Sequence, residues 1–356
     1  MHRACLVLLC GFAALLANAP ARAQLDIPTG KGLPVQVTVA AEYVEIVAYK
    51  ENSNSYTGVI DVRLRWQDLR LQRPADQQTQ PPRVFRGGEA DAQIAKMWTP
   101  TVEIANQRGR ATYSANGLWI EPDGRVELIR RVSAEFAANT NVERFPFDRQ
   151  QLRVNLVARD DADAVELRFV QDDLDYSRAS AAASLDGWTI GGVTLRNSPV
   201  AGWHGAKHTQ VVAALDVTRQ PGIVVAAVFV PLFASLLIPM LAVWLNRNDD
   251  GYFHIETFEL VNIIIGGLFA VIALNFTINS TYEVLSSGDN PVHRLLALNY
   301  LVLAVGLLAN VVLFRFGVVA SLFGRYVQEQ TFYVLAWALP AVTFATAAAI
   351  VLSALT

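Results

Sequence analysis

Polar, small and aromatic residues recur at steps of three and four along an otherwise apolar segment. On an α-helix, which turns about every 3.6 residues, this spacing places them on one face. The face consists, in chain order, of Glu259, Asn262, Gly266, Phe269, Ala273, Phe276, Ser280 and Glu283. We call it the polar stripe. A carboxylate beside polar residues in an apolar helix is more stable against water or protein than against hydrocarbon.

The stripe could line a water-filled pore if several copies of the helix form a ring. Glu259 would then supply a ring of carboxylates that attracts cations, and it is the predicted selectivity residue. Phe269, Ala273 and Phe276 would form an apolar constriction, which can close a pore by losing its water. The alternative is a helix-packing face, where small residues such as Gly266 are common. Glu259 would then be an ordinary carboxylate favoured by the helix dipole.

Four apolar stretches follow Arg219, and each is long enough to cross a membrane. A span of about 20 residues crosses the ~30 Å hydrocarbon core. We predict a four-helix transmembrane bundle over residues 220–356, with helices at about 221–245, 255–279, 292–316 and 330–355. A single buried helix can also lack charge, but four in succession favour a membrane domain. The charged fraction of the whole chain, 17%, is correspondingly low.

Residues 24–219 have a different pattern, in which apolar and polar residues alternate. Val62, Leu64 and Trp66, for example, are separated by single charged residues. Period two indicates strands with one buried and one solvated face. Many short strands separated by turn signals such as Asp186-Gly187 predict an all-β, immunoglobulin-like sandwich.

Residues 1–23 have the pattern of a secretory signal peptide. A basic start precedes an apolar run over residues 5–16, and residues 21–23 fit a small-x-small cleavage site. A first membrane helix is the alternative, but the run is too short to span a bilayer. Both cysteines, Cys5 and Cys10, lie here, so the mature chain would have no disulfide.

The sequence argues against several other classes of protein. The net charge of -3 is too small to indicate a nucleic-acid-binding surface. No nucleophile elbow, metalloprotease motif, phosphate-binding loop or Cys/His metal set occurs. We therefore expect no nucleic-acid partner, no metal, no cofactor and no enzymatic activity. A non-conducting membrane sensor and a membrane-anchored enzyme are the rival interpretations.

Five segments, in the order in which they occur, resemble motifs of the pentameric ligand-gated ion channels, the Cys-loop receptor superfamily. They are Trp66-Gln67-Asp68-Leu69-Arg70-Leu71, Met97-Trp98-Thr99-Pro100-Thr101-Val102, Arg144-Phe145-Pro146-Phe147-Asp148, Arg219 before the first span, and Leu237-Ile238-Pro239-Met240-Leu241. Leu152 stands where animal members have the second cysteine of the loop, and only residues 315–329 join the last two helices. These features resemble the bacterial proton-gated and amine-gated channels.

The resemblance implies a homopentamer in a lipid bilayer. Monovalent cations are the expected permeant ions, and this expectation rests on Glu259. The similarity to bacterial members implies an inner-membrane location. Four spans place both ends of the bundle on one side of the membrane, so an exported β domain predicts that the β domain and the C-terminus lie in the periplasm. Loop charges decide little about orientation, because Arg294 opposes the positive-inside bias.

The resemblance also implies a coupling network between the two domains. Glu51, Asp148 and Arg219 would meet at the membrane-facing end of the sandwich, where an arginine can bind two carboxylates. Pro146 of the loop motif and Pro291, at the turn between the second and third helices, would lie at the same junction. The alternative is a static structural network without a switching role.

The expected agonist site is unusual, because the aromatic residues that bind amines in relatives are largely missing. By the resemblance, Ala105 and Arg159 occupy two of these positions, and Asp61 lies on the complementary face. Trp203 belongs to the loop that closes the site. A small anion at Arg159 is one possible agonist, although Arg159 could instead form a salt bridge with Asp160 or Asp161.

Protons are the other possible agonist, and the relatives favour them. Histidine titrates near physiological pH, so a histidine whose pKa differs between states would shift the gating equilibrium. The candidate sensors are His204, His208, His254 and His293. The alternative for each is an exposed imidazole without a special role.

Overall fold

The computed structural model describes residues 26–202, 205–245, 248–249, 252–253, 257–286 and 288–355. The signal peptide predicted at 1–23, the ligand-site residue Trp203 and the histidines His204 and His254 lie outside the described residues. The described chain forms a β domain that ends at Arg219 and a helical domain that begins at Pro221.

The described part of the β domain contains ten strands in two sheets. They are β1 Val35–Lys50, β2 Ser55–Gln67, β3 Arg83–Arg86, β4 Val102–Ile104, β5 Gln107–Ile120, β6 Arg125–Ala137, β7 Arg149–Ala158, β8 Val165–Arg168, β9 Trp188–Ala201 and β10 Lys207–Arg219. The larger sheet has the order β3-β5-β6-β2-β1-β8 and the smaller β4-β7-β10-β9. Neighbours are antiparallel, except for the parallel pair β1 and β8.

The alternating sequence pattern determines which side of each strand faces the core. On β7, Leu152, Val154 and Leu156 are buried between the sheets, whereas the residues between them are at least partly exposed. The buried Tyr43 hydroxyl of β1 lies 2.7 Å from the carbonyl oxygen of Leu152 and 3.0 Å from that of Ala213, and so links the two sheets. The predicted all-β, immunoglobulin-like sandwich is confirmed.

Seven helices occur in the described chain, and a two-stranded ribbon of Asn248–Asp249 and Tyr252–Phe253 lies between the third and the fourth of them. The helices are α1 Gly88–Ile94, α2 Gln171–Tyr176, α3 Pro221–Trp244, α4 Thr257–Thr281, α5 Pro291–Leu313, α6 Val318–Phe323 and α7 Arg325–Leu355. Four of them, α3, α4, α5 and α7, are long and apolar enough to cross a membrane. The predicted four-helix bundle is confirmed. Within α3, the segment Val225–Phe229 forms a wider π-helical turn.

Small and polar residues hold α3, α4 and α5 together. A Cβ added to Gly267 of α4 would lie only 2.7 Å from Cγ2 of Ile238 in α3, so the glycine permits this close approach. Buried Asn299 of α5 donates to the carbonyl of Leu232 at 3.2 Å, and the Ser235 hydroxyl lies 2.6 Å from the Asn299 side-chain oxygen. The Asn299 contacts join α5 to α3, and the Gly267 side of α4 packs against both helices.

Candidate pore face and domain junction

The polar stripe lies on the side of α4 that faces away from the subunit's own bundle. Every stripe residue is exposed in the isolated subunit. The buried residues of the helix are Leu260, Ile264, Gly267, Val271 and Ile278. An α-helix turns by about 100° per residue, so the centre of the stripe lies about 180° around the helix axis from the centre of the buried residues. The stripe therefore does not pack against the described helices of its own subunit.

The chemical character of the stripe changes along α4. Glu259 is exposed in the first turn of the helix. Phe269 and Phe276 are 67% and 76% exposed, which is unusual for phenylalanine unless another molecule or lipid covers it. Near the C-terminal end, the Ser280 hydroxyl donates to the Thr277 carbonyl at 2.9 Å. The stripe is thus acidic at each end, at Glu259 and Glu283, and aromatic at its centre.

At the domain junction, the structure brings Arg219, Asp148 and Glu51 together. The Arg219 guanidinium donates to Asp148 through Nε at 2.7 Å and Nη2 at 3.1 Å, and to Glu51 through Nη1 at 3.1 Å and Nη2 at 2.5 Å. The side chains of Arg219 and Asp148 are only 6% and 2% exposed, and that of Glu51 is 21% exposed. The three groups form a network that is shielded from water. Its contribution to stability should therefore exceed the roughly 0–1 kcal/mol of an exposed ion pair.

The environment keeps Arg219 charged. Burial opposes the charged guanidinium, but the hydrogen bonds to Asp148 and Glu51 outweigh burial and raise the pKa of Arg219 above its ordinary value. Arg219 therefore does not titrate under any physiological condition, and a pH response must come from other groups.

Two aromatic rings cover the Arg219 guanidinium, and the sequence did not predict this role for either. The guanidinium carbon lies 4.2 Å from the ring centre of Trp188 and 4.9 Å from that of Phe145. Such cation–π contacts gain strength where water is excluded. Phe145 belongs to the loop motif, so the sequence could have indicated it as a residue of the domain junction. Trp188 has no motif and reaches Arg219 because β9 and β10 pair these two residues.

The same end of the β domain touches the C-terminal end of α4. The Asn52 amide, in the turn after β1, donates to the Glu283 carboxylate at 2.6 Å. The rings of Phe145 and Tyr282 pack edge to face with centres 5.8 Å apart. Phe145 thus contacts both Arg219 and the segment that follows α4, and joins the network to the stripe helix.

The two predicted junction prolines lie on opposite sides of this contact. Pro146 is buried in the loop between β6 and β7. Pro291 is buried in the first turn of α5, after Asn290, whose side chain accepts from the His293 backbone N–H at 3.0 Å and donates to the Leu285 carbonyl at 2.9 Å. Asn290 therefore fixes the turn that joins the Tyr282 segment to α5.

The residues predicted for the agonist site are not all brought together within one subunit. Ala105 and Arg159 lie near the smaller sheet, where their backbones bond to Asn155 and Thr101. Asp61 lies on the larger sheet, where Arg131 holds it by two hydrogen bonds of 2.7 Å.

Arg159 does not pair with Asp160 or Asp161. The sequence suggested a salt bridge from Arg159 to one of these aspartates as the alternative to anion binding. Arg159 does form a salt bridge, but its partner is Glu103 of β4, at 2.6 Å. β4 and β7 are paired strands, so Glu103 is closer to Arg159 than the chain order suggests. The pair is exposed, at 69% for Arg159, and a ligand could displace it.

His208 lies beside Asp160 near this sheet. His208 Nδ1 lies 3.1 Å from the Asp160 carbonyl oxygen. Burial raises the pKa of the Asp160 carboxyl, the negative charge of Asp161 raises it further, and His208 partly opposes this shift. His293 instead lies beside Asn290 at the domain junction. Within the described residues, no group of three or more His, Cys, Asp or Glu side chains could hold a metal ion.

Comparison with known proteins agrees with this geometry. The family described as "Neurotransmitter-gated ion-channel ligand binding domain" matches residues 23–221. The glycine receptor subunit beta of Rattus norvegicus is 23% identical over 237 residues, 62% of this chain and 45% of that protein. The proton-gated ion channel of Gloeobacter violaceus is 23% identical over 253 residues, 69% of this chain and 64% of that protein. The match thus spans less than half the length of the glycine receptor subunit.

Proposed function

Because this chain belongs to the neurotransmitter-gated ion-channel family, we propose that it is one subunit of a homopentameric, cation-selective channel. The observation that carries the proposal is the outward orientation of the polar stripe on α4. Five such helices around an axis would enclose water along the stripe, while the exposed flanks of α4 contact neighbouring subunits. The chain would lie in a bacterial inner membrane, with the β domain in the periplasm.

Cation preference would come from Glu259. Five carboxylates at one mouth of the pore raise the local concentration of cations and exclude anions electrostatically. Phe269, Ala273 and Phe276 would form the gate. Two large rings flanking a small residue give a narrow apolar segment, which conducts only when the helices tilt or rotate enough to wet it.

Opening would begin in the β domain and pass through the junction. The Arg219 network holds the turn after β1 and the β6–β7 loop to the last residue of β10, and α3 begins two residues later. Phe145 and Asn52 then contact the end of α4. A rotation of the sandwich would therefore move α3 and α4 together, and the network would act as the coupling element.

Protons are the proposed agonist. A conformation that buries Asp160 takes up a proton at this carboxyl more readily, so a lower pH favours that conformation. Support comes from the burial of the Asp160 carboxyl, which raises its pKa, and from the similarity to a protein named as a proton-gated channel. A small anion that displaces Glu103 from Arg159 is the second candidate, since a guanidinium binds a carboxylate well.

The test is electrical recording from the purified chain in liposomes or planar bilayers, stepped from about pH 8 to about pH 4 without added ligand. We expect a current that grows as the pH falls and reverses near the cation equilibrium potential in a salt gradient. Five-fold particles that never conduct at any pH, even with added small carboxylates, would contradict the channel and favour a sensor.

A further inference from the structure

An open cavity of about 430 Å³ lies on the outward side of the larger sheet, at the end of the β domain opposite the β1–β2 turn. Five of its lining residues form one row across neighbouring strands: Trp119 of β5, Glu127 of β6, Arg65 of β2, Thr38 of β1 and Arg168 of β8. We propose that this cavity, here called the sheet-end cavity, binds a dipeptide with free amino and carboxyl ends.

The sheet-end cavity is separate from the predicted agonist site. Arg65 and Asp61 lie four residues apart on the same side of β2. At the usual rise of a strand, this separation is about 13 Å. A ligand in the cavity therefore binds away from Asp61, and the inference depends neither on the agonist nor on ion conduction.

One end of the cavity suits an ammonium group. Glu121 and Glu127 are partly buried, and in the part of the chain that the structure describes neither carboxylate has a hydrogen-bond or ion-pair partner. Arg65, opposite Glu127, does not neutralise it, because its guanidinium lies 2.6 Å from Asp172 and 2.6 Å from Asp173. Two carboxylates without a partner create a negative potential that attracts a cation.

Trp119 adds an aromatic surface at the same end. Its six-membered ring lies over Gly117, since a Cβ on that glycine would be 2.8 Å from the ring atoms Cζ3 and Cη2. Glycine therefore leaves room for this position of the ring. An ammonium group at Glu127, on the adjacent strand, lies within reach of the indole. Among aromatic rings, tryptophan binds a cation most strongly.

The other end of the cavity suits a carboxylate. Arg168 has no ion-pair partner among the described residues, and its buried Nε has no hydrogen-bond acceptor. A guanidinium binds a carboxylate through two parallel hydrogen bonds. Thr38, between Arg65 and Arg168 in the row, offers a hydroxyl to the peptide group of the ligand. Arg125 at the rim adds little charge, because Asp123 binds it at 2.7 Å.

The width of the row sets the length of the ligand. Glu127 and Arg168 are three strands apart, which places their Cα atoms about 14 Å from each other. Side chains stand roughly perpendicular to a sheet, so their charged ends keep about this separation. An ion pair of about 4 Å at each end leaves about 6 Å between the two charges of the ligand. A single amino acid spans only about 2.5 Å from nitrogen to carboxyl carbon, and a second residue adds about 3.5 Å.

Isothermal titration calorimetry of the full chain in detergent, at neutral pH and low salt, tests the site with alanylalanine as the probe. Alanine carries the same two charges closer together, and tetraalanine carries them farther apart. N-acetyl-alanylalanine lacks the ammonium group, and alanylalanine amide lacks the carboxylate. We expect alanylalanine to bind about tenfold or more tightly than each of the other four compounds, since each of them loses a hydrogen bond between charged groups.

Two substitutions test the two ends separately. Glu127→Gln should weaken alanylalanine binding about tenfold but leave the N-acetyl compound unchanged, because that compound has no ammonium group. Arg168→Gln should weaken alanylalanine binding to the same degree and leave the amide unchanged. Glu45→Gln on β1 and Arg153→Gln on β7 make the same charge changes at exposed positions outside the cavity and should have no effect.

Gly117→Ala tests the aromatic surface without changing any charge. The new Cβ would displace the Trp119 ring. Alanylalanine should therefore bind about threefold more weakly, while the N-acetyl compound, which has no cation for the ring, should bind as before.

Three results would overturn the proposal. The first is no binding of alanylalanine up to about 10 mM. The second is equal affinity for alanylalanine and for alanine or either of the compounds with one charged end. The third is unchanged alanylalanine affinity in both Glu127→Gln and Arg168→Gln, which would place the peptide elsewhere. The first two results need only the unaltered chain, so they decide the question even if a variant does not assemble.

Discussion

At the scale of single residues, the side chain of Arg219 meets two separate requirements. Its donors satisfy Asp148 and Glu51, and its flat faces pack between Trp188 and Phe145. A lysine in its place would keep the charge but could neither bond to both carboxylates in a fork nor stack between the rings. The identity of this residue, and not only its charge, should therefore matter for gating.

We expect Arg219→Lys to assemble and reach the membrane but to open poorly. Hydrogen bonds to charged groups contribute roughly 1.5–3 kcal/mol, so the stimulus needed for half-maximal current should rise by about tenfold or more. Arg125→Lys, in an exposed pair with Asp123, is the control and should behave as the unaltered chain. Normal current amplitude and sensitivity in both Arg219→Lys and Arg219→Ala would reject the coupling role.

Glu259 offers a second residue-scale prediction. Glu259→Gln keeps the size of the side chain but removes the ring of charge, so cation over anion permeability or conductance should fall. Reversal potentials in a salt gradient measure this effect. Asp186→Asn, in an exposed turn before β9, is the control. It removes one negative charge outside the membrane helices and should change neither the ratio of cation to anion permeability nor the conductance. An unaltered reversal potential and conductance in Glu259→Gln would exclude it as the selectivity residue.

The sequence could predict only part of the junction. Arg219 and Asp148 belong to recognisable motifs, and an arginine between carboxylates follows from elementary chemistry. Trp188 stands in no motif, 31 positions before Arg219, and its role depends on the register between β9 and β10. Register depends on the whole sheet, so the sequence around one residue does not reveal it.

At the scale of elements, the face of α4 that periodicity singles out is the face that is exposed in the isolated chain, because a helix buried on one side must keep its apolar contacts in register. Its role as a pore lining stays a prediction. Helix ends were less predictable. The fourth membrane helix, expected at 330–355, runs over Arg325–Leu355. Its first turn is amphipathic, and the Gln328 side chain accepts from the Ala320 backbone at 2.9 Å, so hydrogen bonding extends the helix beyond its apolar part.

Gly267 of α4 allows a prediction about helix packing, and the adjacent Gly266 is its control. A Cβ on Gly267 would meet Ile238 Cγ2 at 2.7 Å and Leu303 Cδ2 at 3.1 Å, whereas a Cβ on Gly266 meets nothing within 4 Å. Gly267→Ala should destabilise the chain by about 1–3 kcal/mol through overpacking. Gly266→Ala should be neutral or slightly stabilising, since alanine favours helix.

Thermal unfolding of the two glycine variants in the same detergent measures the difference. A lower unfolding temperature for Gly267→Ala alone is the expected result. Equal stability of the two variants would mean that α3 and α4 do not pack as closely as described.

At the scale of the whole molecule, proton gating should depend on several carboxyl and imidazole groups. The raised pKa of Asp160, caused by burial and by Asp161, makes it one contributor, with His208 acting against the shift. Asp160→Asn removes one proton-linked step, so the curve of current against pH should become shallower or shift its midpoint. Asp186→Asn should leave the curve unchanged. An Asp160→Asn curve that superimposes on that of the unaltered chain would remove Asp160 from the mechanism.

The agonist site is the least predictable feature at this scale, because it depends on contacts between subunits. Asp61 lies on β2 of the larger sheet, and Arg159 directly follows β7 of the smaller sheet. In the proposed pentamer Asp61 belongs to the complementary face, so a ligand would meet the two residues across a subunit boundary. Each already has an ion-pair partner, Arg131 and Glu103, on a neighbouring strand. Sequence patterns describe a single chain and therefore identify the stripe and the junction better than the ligand.

Cysteine accessibility along α4 tests the central claim most directly. Single cysteines at Asn262 and Phe269 of the stripe are compared with cysteines at the buried positions Ile264 and Val271, using a charged, water-soluble thiol reagent. We predict that the reagent modifies the stripe positions during opening and alters the current, while the buried positions do not react. Stripe cysteines that never react in any state, or that react no faster than those at Ile264 and Val271, would contradict a water-filled path along the polar stripe.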